Sequence, residues 1–190
     1  MKTLLKLSLI LLLIGFTNTG CEKIKDLADV TFDADFTSTM DATVEPTSLK
    51  SGQAMGYFAE ETTIDPNTNE DFKTYANKIK SIKVEKMIVE VTSISNAPNN
   101  SVNVTTAVAY CISQPPFTEN AFGATVVLNN ETLTVGKTYE LDAAEVPDLE
   151  TILNTKEVFY VGIAGMADPV NATIGFKVYI NSKITANALN

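Results

Sequence analysis

Apolar and polar residues alternate along most of the chain behind residue 28, and this period of two constrains the fold more than any other feature. It is clearest near the C-terminus, where apolar residues occupy every second position: Val170, Ala172, Ile174, Phe176, Val178 and Ile180. Successive side chains of a β-strand point to opposite faces of a sheet. The pattern therefore predicts strands with one buried and one solvated face.

The same reasoning predicts strands along the rest of the chain. They are expected at 29–45, as one strand or a bent pair, and at 82–94, 102–113, 123–128, 133–141 and 158–166. Asn129 and Asn130 predict a hairpin turn, and Asp168-Pro169 predicts the turn before the last strand. Within 82–94 the apolar positions change parity, and one extra residue near Lys86 would cause that change. We therefore expect a β-bulge at Lys86.

Two short segments have helical spacing instead. In the first, which follows a good N-cap residue in Asn69, the apolar positions are Phe72, Tyr75, Ala76 and Ile79. In the second they are Val146, Leu149, Ile152 and Leu153, with Pro147 suited to a first turn. Seven or eight strands with two connecting helices predict an all-β antiparallel two-sheet sandwich, in one domain that covers 29–190.

The chain contains no His, Arg or Trp, which excludes many kinds of chemistry. Histidine-activated nucleophiles, HExxH zinc sites and bidentate Arg clamps are all ruled out. Carboxylates, Lys, Tyr, hydroxyls and thiols remain, so a non-enzymatic protein is predicted. Three aspartates, Asp33, Asp35 and Asp41, share the polar face of the first strand, and paired carboxylates serve glycosidases. A simple solvated face explains them better.

The formal net charge is −9, and it becomes more negative once Lys2 and Lys6 are removed with the N-terminal segment discussed next. Nucleic-acid binding depends on basic residues that neutralise phosphates. Anionic lipid headgroups likewise attract polybasic segments. The sequence therefore predicts neither a nucleic-acid partner nor electrostatic binding to lipid.

The N-terminus has the plan of an export signal. Lys2 and Lys6 precede an apolar run at 7–16 that is too short for a lasting bilayer span, and Gly20-Cys21 follows shortly after. These residues resemble the signal of bacterial lipoproteins of the Bacteroidota type, although Asn18 stands where an aliphatic residue is usual. The resemblance implies that 1–20 is removed and that Cys21 carries the lipid. Residues 21–28 would then be the tether to the outer membrane. An ordinary secreted protein with an unmodified Cys21 is the alternative.

One polar loop resembles a calcium site. Oxygen-bearing side chains occupy alternate positions at Asp65, Asn67, Asn69 and Asp71, the spacing that an EF-hand loop uses to surround a hard cation. Glu70 and Ala76 occupy the positions where that loop needs Gly and a bidentate Glu. A turn rich in Asp and Asn that caps the following helix is the favoured interpretation, with calcium as the alternative cofactor.

Three further features have a functional and a structural interpretation. Cys111 lies in an apolar strand context that favours a core position for its thiol. Tyr57 and Phe58, and separately 115–117, would stack on sugars or on a protein partner if they lay on loops, but packing is the commoner fate of aromatic rings.

The sequence leaves three functions open. The first is a non-enzymatic binding or structural module of the cell envelope, with a glycan, peptide or envelope protein as partner. The second is a hydrolase or lyase that uses carboxylates, Lys or Tyr and needs a cleft with two such groups. The third is a carrier of an apolar ligand, which needs a large internal cavity.

Overall fold

A computed structural model of the chain describes residues 28–47, 55–113, 123–146 and 148–188, with the backbone alone described at 123–127. Within these residues the strands are β1 (Asp29–Thr43), β2 (Glu45–Pro46), β3 (Gly56–Ile64), β4 (Ile79–Ser95), β5 (Ser101–Ile112), β6 (Gly123–Thr134), β7 (Thr138–Asp142), β8 (Phe159–Asp168) and β9 (Thr173–Asn187). The α-helices are α1 (Glu70–Tyr75) and α2 (Leu149–Asn154), and short 3-10 turns join several elements.

The strands form two sheets, a four-stranded sheet in the order β1-β9-β4-β7 and a five-stranded sheet in the order β2-β3-β8-β5-β6. Each pair of neighbouring strands is antiparallel. The predicted all-β two-sheet sandwich is therefore confirmed. β2 and β3 come in addition to the predicted strands, because the polar run of residues 60–63 hides the alternation of β3.

The core lies between the two sheets and follows the alternation in the sequence. Phe58 of the five-stranded sheet stacks on Phe176 of the four-stranded sheet, with 6.5 Å between the ring centroids. Both rings are fully buried, as are Ile174 and Ile180 on the inner face of β9. Apolar burial of this kind is the main favourable term in folding.

The bulge predicted near Lys86 is present. Val84 pairs with Ser182 of β9, and Lys86 pairs with Asn181, the residue adjacent to Ser182. Glu85 is therefore the extra residue on β4. The apolar positions of β4 consequently change parity while staying on the inner face.

Both predicted helices are present and each covers part of the sandwich. Asn69 is the N-cap of α1, where its side chain accepts from the backbone N–H of Phe72 at 2.9 Å. Phe72 packs edge-on against Phe36, with centroids 5.5 Å apart. α2 buries Leu149, Ile152 and Leu153. Its Glu150 carboxylate accepts from the backbone N–H of Val84 at 3.0 Å, next to the bulge.

Two predictions about β6 and β7 are wrong. Asn129 and Asn130 do not turn the chain, because β6 continues through them and Asn130 takes a φ of 52° within the strand. An Asn tolerates this left-handed conformation better than most residues. The single strand predicted at 133–141 is instead interrupted by a turn at Gly136, whose φ of 85° suits a residue without Cβ.

Several predictions fall outside the described residues: the signal at 1–20, Cys21, the tether as far as 27, the segment 115–117 and Pro147. Among the helices that the structure does describe, none is long and apolar enough to cross a membrane. The backbone of Ala28, where the description begins, accepts from the N–H of Ala188 at 2.9 Å.

Candidate functional site

A groove runs along the outer face of the five-stranded sheet, where β3, β8 and β5 lie side by side. In three successive rows across these strands, Tyr57, Met166 and Thr106 are paired, then Ala59, Ala164 and Val108, then Glu61, Gly162 and Tyr110. Alternate residues of a strand point to the same side, so the eight side chains of these residues share this face with Gly162. The groove has a volume of about 310 Å³ and is lined by Tyr57, Thr106, Ala107, Val108, Tyr110, Ala164, Gly165 and Met166.

Small residues on β8 form the floor of the groove, and two tyrosines rise beside them. Tyr57 is 48% exposed, whereas the ring of Tyr110 is almost wholly buried. A Cβ on Gly162 would lie 2.8 Å from Cε2 of Tyr110 and would collide with other atoms of the same ring. Gly162 therefore allows the Tyr110 ring to lie across β8.

Tyr110 is fixed at one end of the groove by a hydrogen bond. Its hydroxyl donates to Oε2 of Glu61 at 3.2 Å. Burial raises the pKa of Tyr110 well above its ordinary value, and the negative charge of Glu61 raises it further. The phenol is therefore protonated and acts as a donor at neutral pH.

The two sheets differ in charge. The strands of the four-stranded sheet carry both signs of charge. They contain five lysines, Lys80, Lys83, Lys86, Lys177 and Lys183, and eight acidic residues, Asp29, Asp33, Asp35, Asp41, Glu85, Glu90, Glu140 and Asp142. In contrast, β2, β3, β5, β6 and β8 contain no lysine, and their charged residues are all acidic: Glu45, Glu60, Glu61, Glu131 and Asp168. Glu61 lies at one end of the groove, and Asp168 follows Met166 by two residues at the other end. The groove is thus apolar along its length and acidic at both ends.

The loop predicted as a calcium site caps α1 and the turn before it. Asp65 Oδ1 accepts from the backbone N–H of Asn67 at 2.9 Å and from its side-chain amide at 3.0 Å. Asn69 caps α1, and Asp71 lies in its exposed first turn. The helix-capping interpretation is confirmed. Within the described parts of the chain no cluster of three or more His, Cys, Asp or Glu side chains is placed to hold a metal. Calcium binding stays a prediction.

Cys111 and the three aspartates of β1 lie where their structural interpretations put them. Cys111 is fully buried, its Sγ is 3.8 Å from the sulfur of Met87, and burial raises the pKa of its thiol to about 12. Asp33, Asp35 and Asp41 are exposed on the outer face of the four-stranded sheet. Asp35 accepts from the amide of Asn181 at 2.7 Å. Cys111 therefore belongs to the core, and the three aspartates belong to a solvated face.

Tyr57 and Phe58 lie on β3, so the alternative that placed them on a loop is wrong, and the favoured interpretation, packing, is confirmed for Phe58. Phe58 points into the core and Tyr57 into the groove. Tyr110, Gly162 and Ala164 were not predicted as site residues at all. One signal was available: Tyr110, Cys111 and Ile112 are consecutive apolar residues of one strand, which indicates apolar surface on both of its faces.

A small cavity lies between the sheets, on the other side of β5 and β8 from the groove. It is lined by Val89, Ala109, Leu128, Tyr139, Ile163 and Phe176, and its volume is about 10 Å³. Such a volume holds about one water molecule.

No family model matches the chain, and no curated protein matches it. Solved structures that are similar to it include the decameric BFDV capsid protein, with 9% identity, a TM-score of 0.46 and coverage of 82% of this chain and 99% of that chain. The turnip yellow mosaic virus structure has 11% identity, a TM-score of 0.40 and coverage of 84% and 81%. A family 11 carbohydrate-binding module from Clostridium thermocellum, in complex with a mixed-linked tetrasaccharide, has 11% identity, a TM-score of 0.30 and coverage of 81% and 88%. These similarities are too low to support a statement about function.

Proposed function

We propose that this chain is a cell-envelope lipoprotein, anchored to the outer membrane through a lipid on Cys21, and that its β-sandwich is a non-enzymatic binding module. The groove on the outer face of the five-stranded sheet is the proposed ligand site, with a glycan, peptide or envelope protein as partner. The observation that carries the binding-module proposal is the exposed ring of Tyr57 beside an apolar groove of about 310 Å³.

The groove has the properties of a preformed binding site. Its volume lies at the lower end of the range of about 300–1,000 Å³ that is usual for ligand pockets. Its walls stand on three hydrogen-bonded strands, so little ordering is needed when a ligand binds. Tyr57 offers a large apolar area with few rotatable bonds, which is why tyrosine is common at recognition surfaces.

The groove supports binding better than catalysis. Tyr110 and Glu61 are a pair of titratable groups in a groove, as the hydrolase or lyase alternative requires. A tyrosine that serves as a base needs a lowered pKa, whereas the pKa of Tyr110 is raised. Its hydroxyl holds the Glu61 side chain in place and thereby shapes the end of the groove.

Among the residues that the structure describes, the small cavity between the sheets does not favour the carrier alternative. A lipid-sized ligand needs a cavity far larger than the space of about 10 Å³ that Val89, Ile163 and Phe176 help to line. The larger groove is open to solvent on the outside of the sandwich and suits a partner that approaches the surface.

The cellular address is tested by protease treatment of intact and lysed producing cells, with blotting of the full-length protein. We expect membrane association to be lost in Cys21→Ala. Digestion in intact cells would indicate the outer surface, and protection until lysis would indicate the periplasm. An unchanged membrane fraction for Cys21→Ala would contradict the lipid anchor.

A count of free thiols tests the lipid on Cys21 by a second route. Buried Cys111, with its raised pKa, should react slowly with a thiol reagent in the native protein. In denaturant we expect one reactive thiol per chain, that of Cys111, because the sulfur of a lipidated Cys21 is blocked. Two reactive thiols in protein from membranes would show that Cys21 is unmodified.

The groove itself is tested with detergent-solubilised full-length protein on glycan and peptide arrays. Tyr57→Ala should strongly weaken any signal that depends on the groove, while Val158→Ala, which removes apolar surface at an exposed position outside the groove, should not. A ligand that binds both variants equally binds elsewhere.

A further inference from the structure

We infer that the partner in this groove is a polypeptide segment that presents an apolar side chain flanked on both sides by lysine or arginine residues. This inference rests on the proposed function and specifies the ligand class of the same site. It follows from the lining of the groove, from the charges at its two ends and from the difference between the two sheets.

The lining favours apolar side chains over sugars. Its members are aliphatic, aromatic or thioether side chains together with glycine, and the hydroxyls of Tyr57, Thr106 and Tyr110 are the polar exceptions. The hydroxyl of Tyr110 is already bonded to Glu61. A sugar chain would bury many hydroxyl groups here without partners, and each unpaired group costs free energy. An apolar side chain has no such requirement.

The composition also matches the centre of a protein interface. Aromatic residues and methionine are enriched there and charged residues are depleted. Tyr57 and Met166 lie directly opposite each other at one end of the groove, and the small Ala164 leaves room between Tyr57 and Tyr110. A single apolar anchor from a partner would fit between these side chains, and such anchors dominate binding energy.

The ends of the groove supply charge complementarity. Glu61 pairs with Gly162, and Asp168 lies six residues further along β8, which corresponds to roughly 20 Å in a strand. The described strands of this sheet contain no lysine to neutralise these carboxylates. Basic residues on each side of an apolar anchor would meet a carboxylate at each end.

The same charges disfavour two other occupants. A second copy of the chain that docks groove to groove would bring like charges together across the contact. An acidic glycan or a nucleic acid would be repelled in the same way. A neutral glycan is not repelled, so it is the rival that the experiment must separate.

The probe is a random heptapeptide library selected on the full-length protein in detergent, with counter-selection on Tyr57→Ala. Peptides enriched on the wild type should contain an aromatic or aliphatic residue between basic residues. For a synthetic peptide of that kind, Tyr57→Ala should weaken binding about tenfold. Glu61→Gln keeps an acceptor for Tyr110, and Asp168→Asn keeps the shape of its side chain. Each should weaken binding about threefold.

The matched control is Glu140→Gln, which removes the same charge from the exposed outer face of the four-stranded sheet and should leave the affinity unchanged. Wild-type affinity should also fall as salt is raised. Selected peptides without an excess of basic residues, or peptides that bind Glu61→Gln and Asp168→Asn as well as wild type, would overturn the inference.

A glycan array that contains neutral oligosaccharides separates the peptide inference from the proposed binding function of the groove. Binding of a neutral oligosaccharide that is lost in Tyr57→Ala would overturn the peptide inference and leave the groove as a binding site. Dimerisation of the wild type that Tyr57→Ala abolishes would overturn it in favour of a second copy. If no probe and no self-association depends on Tyr57, both the inference and the proposed function fail.

Discussion

The two sheets are both antiparallel, but the side chains on their outer faces differ in chemistry. On the four-stranded sheet the side chains bind one another across the strands: Thr31 with Thr185, Thr43 with Thr173, Lys183 with Glu85 and Tyr179 with Glu90, at distances between 2.6 and 3.3 Å. On the five-stranded sheet small and apolar side chains line a groove between carboxylates.

This difference shows how a sandwich can separate solubility from recognition. Cross-strand pairs of threonines and opposite charges suit a face that stays in contact with water. On the five-stranded sheet Tyr110 is bonded to Glu61, but the apolar side chains along the groove and the exposed ring of Tyr57 offer surface to a partner. Matched substitutions on the two faces should therefore have different effects.

The largest difference is expected for alanine at the two glycines of these faces. Gly162→Ala drives a Cβ into the buried ring of Tyr110, which is held by Glu61 and has little freedom to move. Gly175→Ala meets mainly the side-chain oxygens of Ser93 and Asp41, which can rotate away into solvent. We expect Gly162→Ala to lower the free energy of unfolding by about 2 kcal/mol, against less than about 1 kcal/mol for Gly175→Ala.

Urea denaturation followed by far-ultraviolet circular dichroism measures both values. As a control, both variants should have the wild-type circular dichroism spectrum without urea. A lower unfolding free energy then reflects local crowding and not a changed fold. Equal losses for the two variants would contradict the view that the Tyr110 side of the sandwich is the more rigidly packed.

A smaller difference is expected for the two tyrosine hydroxyls. Tyr110→Phe removes the donor to Glu61, and Tyr179→Phe removes the donor to Glu90 at 2.6 Å while keeping the ring beneath the ammonium of Lys177. Each should cost about 1 kcal/mol of unfolding free energy at pH 7. The stabilities of the two variants should differ in alkaline solution.

The alkaline difference follows from the raised pKa of Tyr110. The folded protein holds this proton more tightly than the unfolded chain does. The resulting stabilisation is complete below about pH 10, the pKa of an unfolded tyrosine, and is lost as pH rises through the pKa of folded Tyr110. We therefore expect a shallower alkaline loss of stability in Tyr110→Phe than in wild type or Tyr179→Phe, measured by urea denaturation across pH 8–11. Parallel curves for all three proteins would contradict it.

The sequence predicts the inner faces of the sandwich better than its outer faces. Alternation identifies which residues of β1 and β9 enter the core, and the parity change at Lys86 locates a bulge, since both are local properties of one strand. The groove depends on β3, β8 and β5 being neighbours, although they are far apart along the chain. Nothing near Tyr57 indicates that Tyr110 and Ala164 share its face.

Turn prediction is limited for the same reason, because strand pairing depends on residues far away in the sequence. The Asn129-Asn130 pair has the composition of a hairpin turn, yet the pairing of β6 with β5 on both sides of it keeps the strand continuous. Tertiary pairing overrides local preference there. The chain turns instead at Gly136, six residues after Asn130. The caps at Asp65 and Asn69 are predictable because they depend on residues within three positions.

The smallest effect is expected for the charges of the four-stranded sheet. Lys86 Nζ lies 3.3 Å from Oε2 of Glu140, with side chains 39% and 60% exposed. Water and salt screen such a pair, and holding two long side chains in one geometry costs entropy, so Glu140→Gln should change the unfolding free energy by less than about 0.5 kcal/mol. Denaturation at low and high salt should give the same difference within error. A loss above about 1 kcal/mol that disappears at high salt would show that this face is a stabilising ionic network. The contrast with the groove would then be one of stability as well as of recognition.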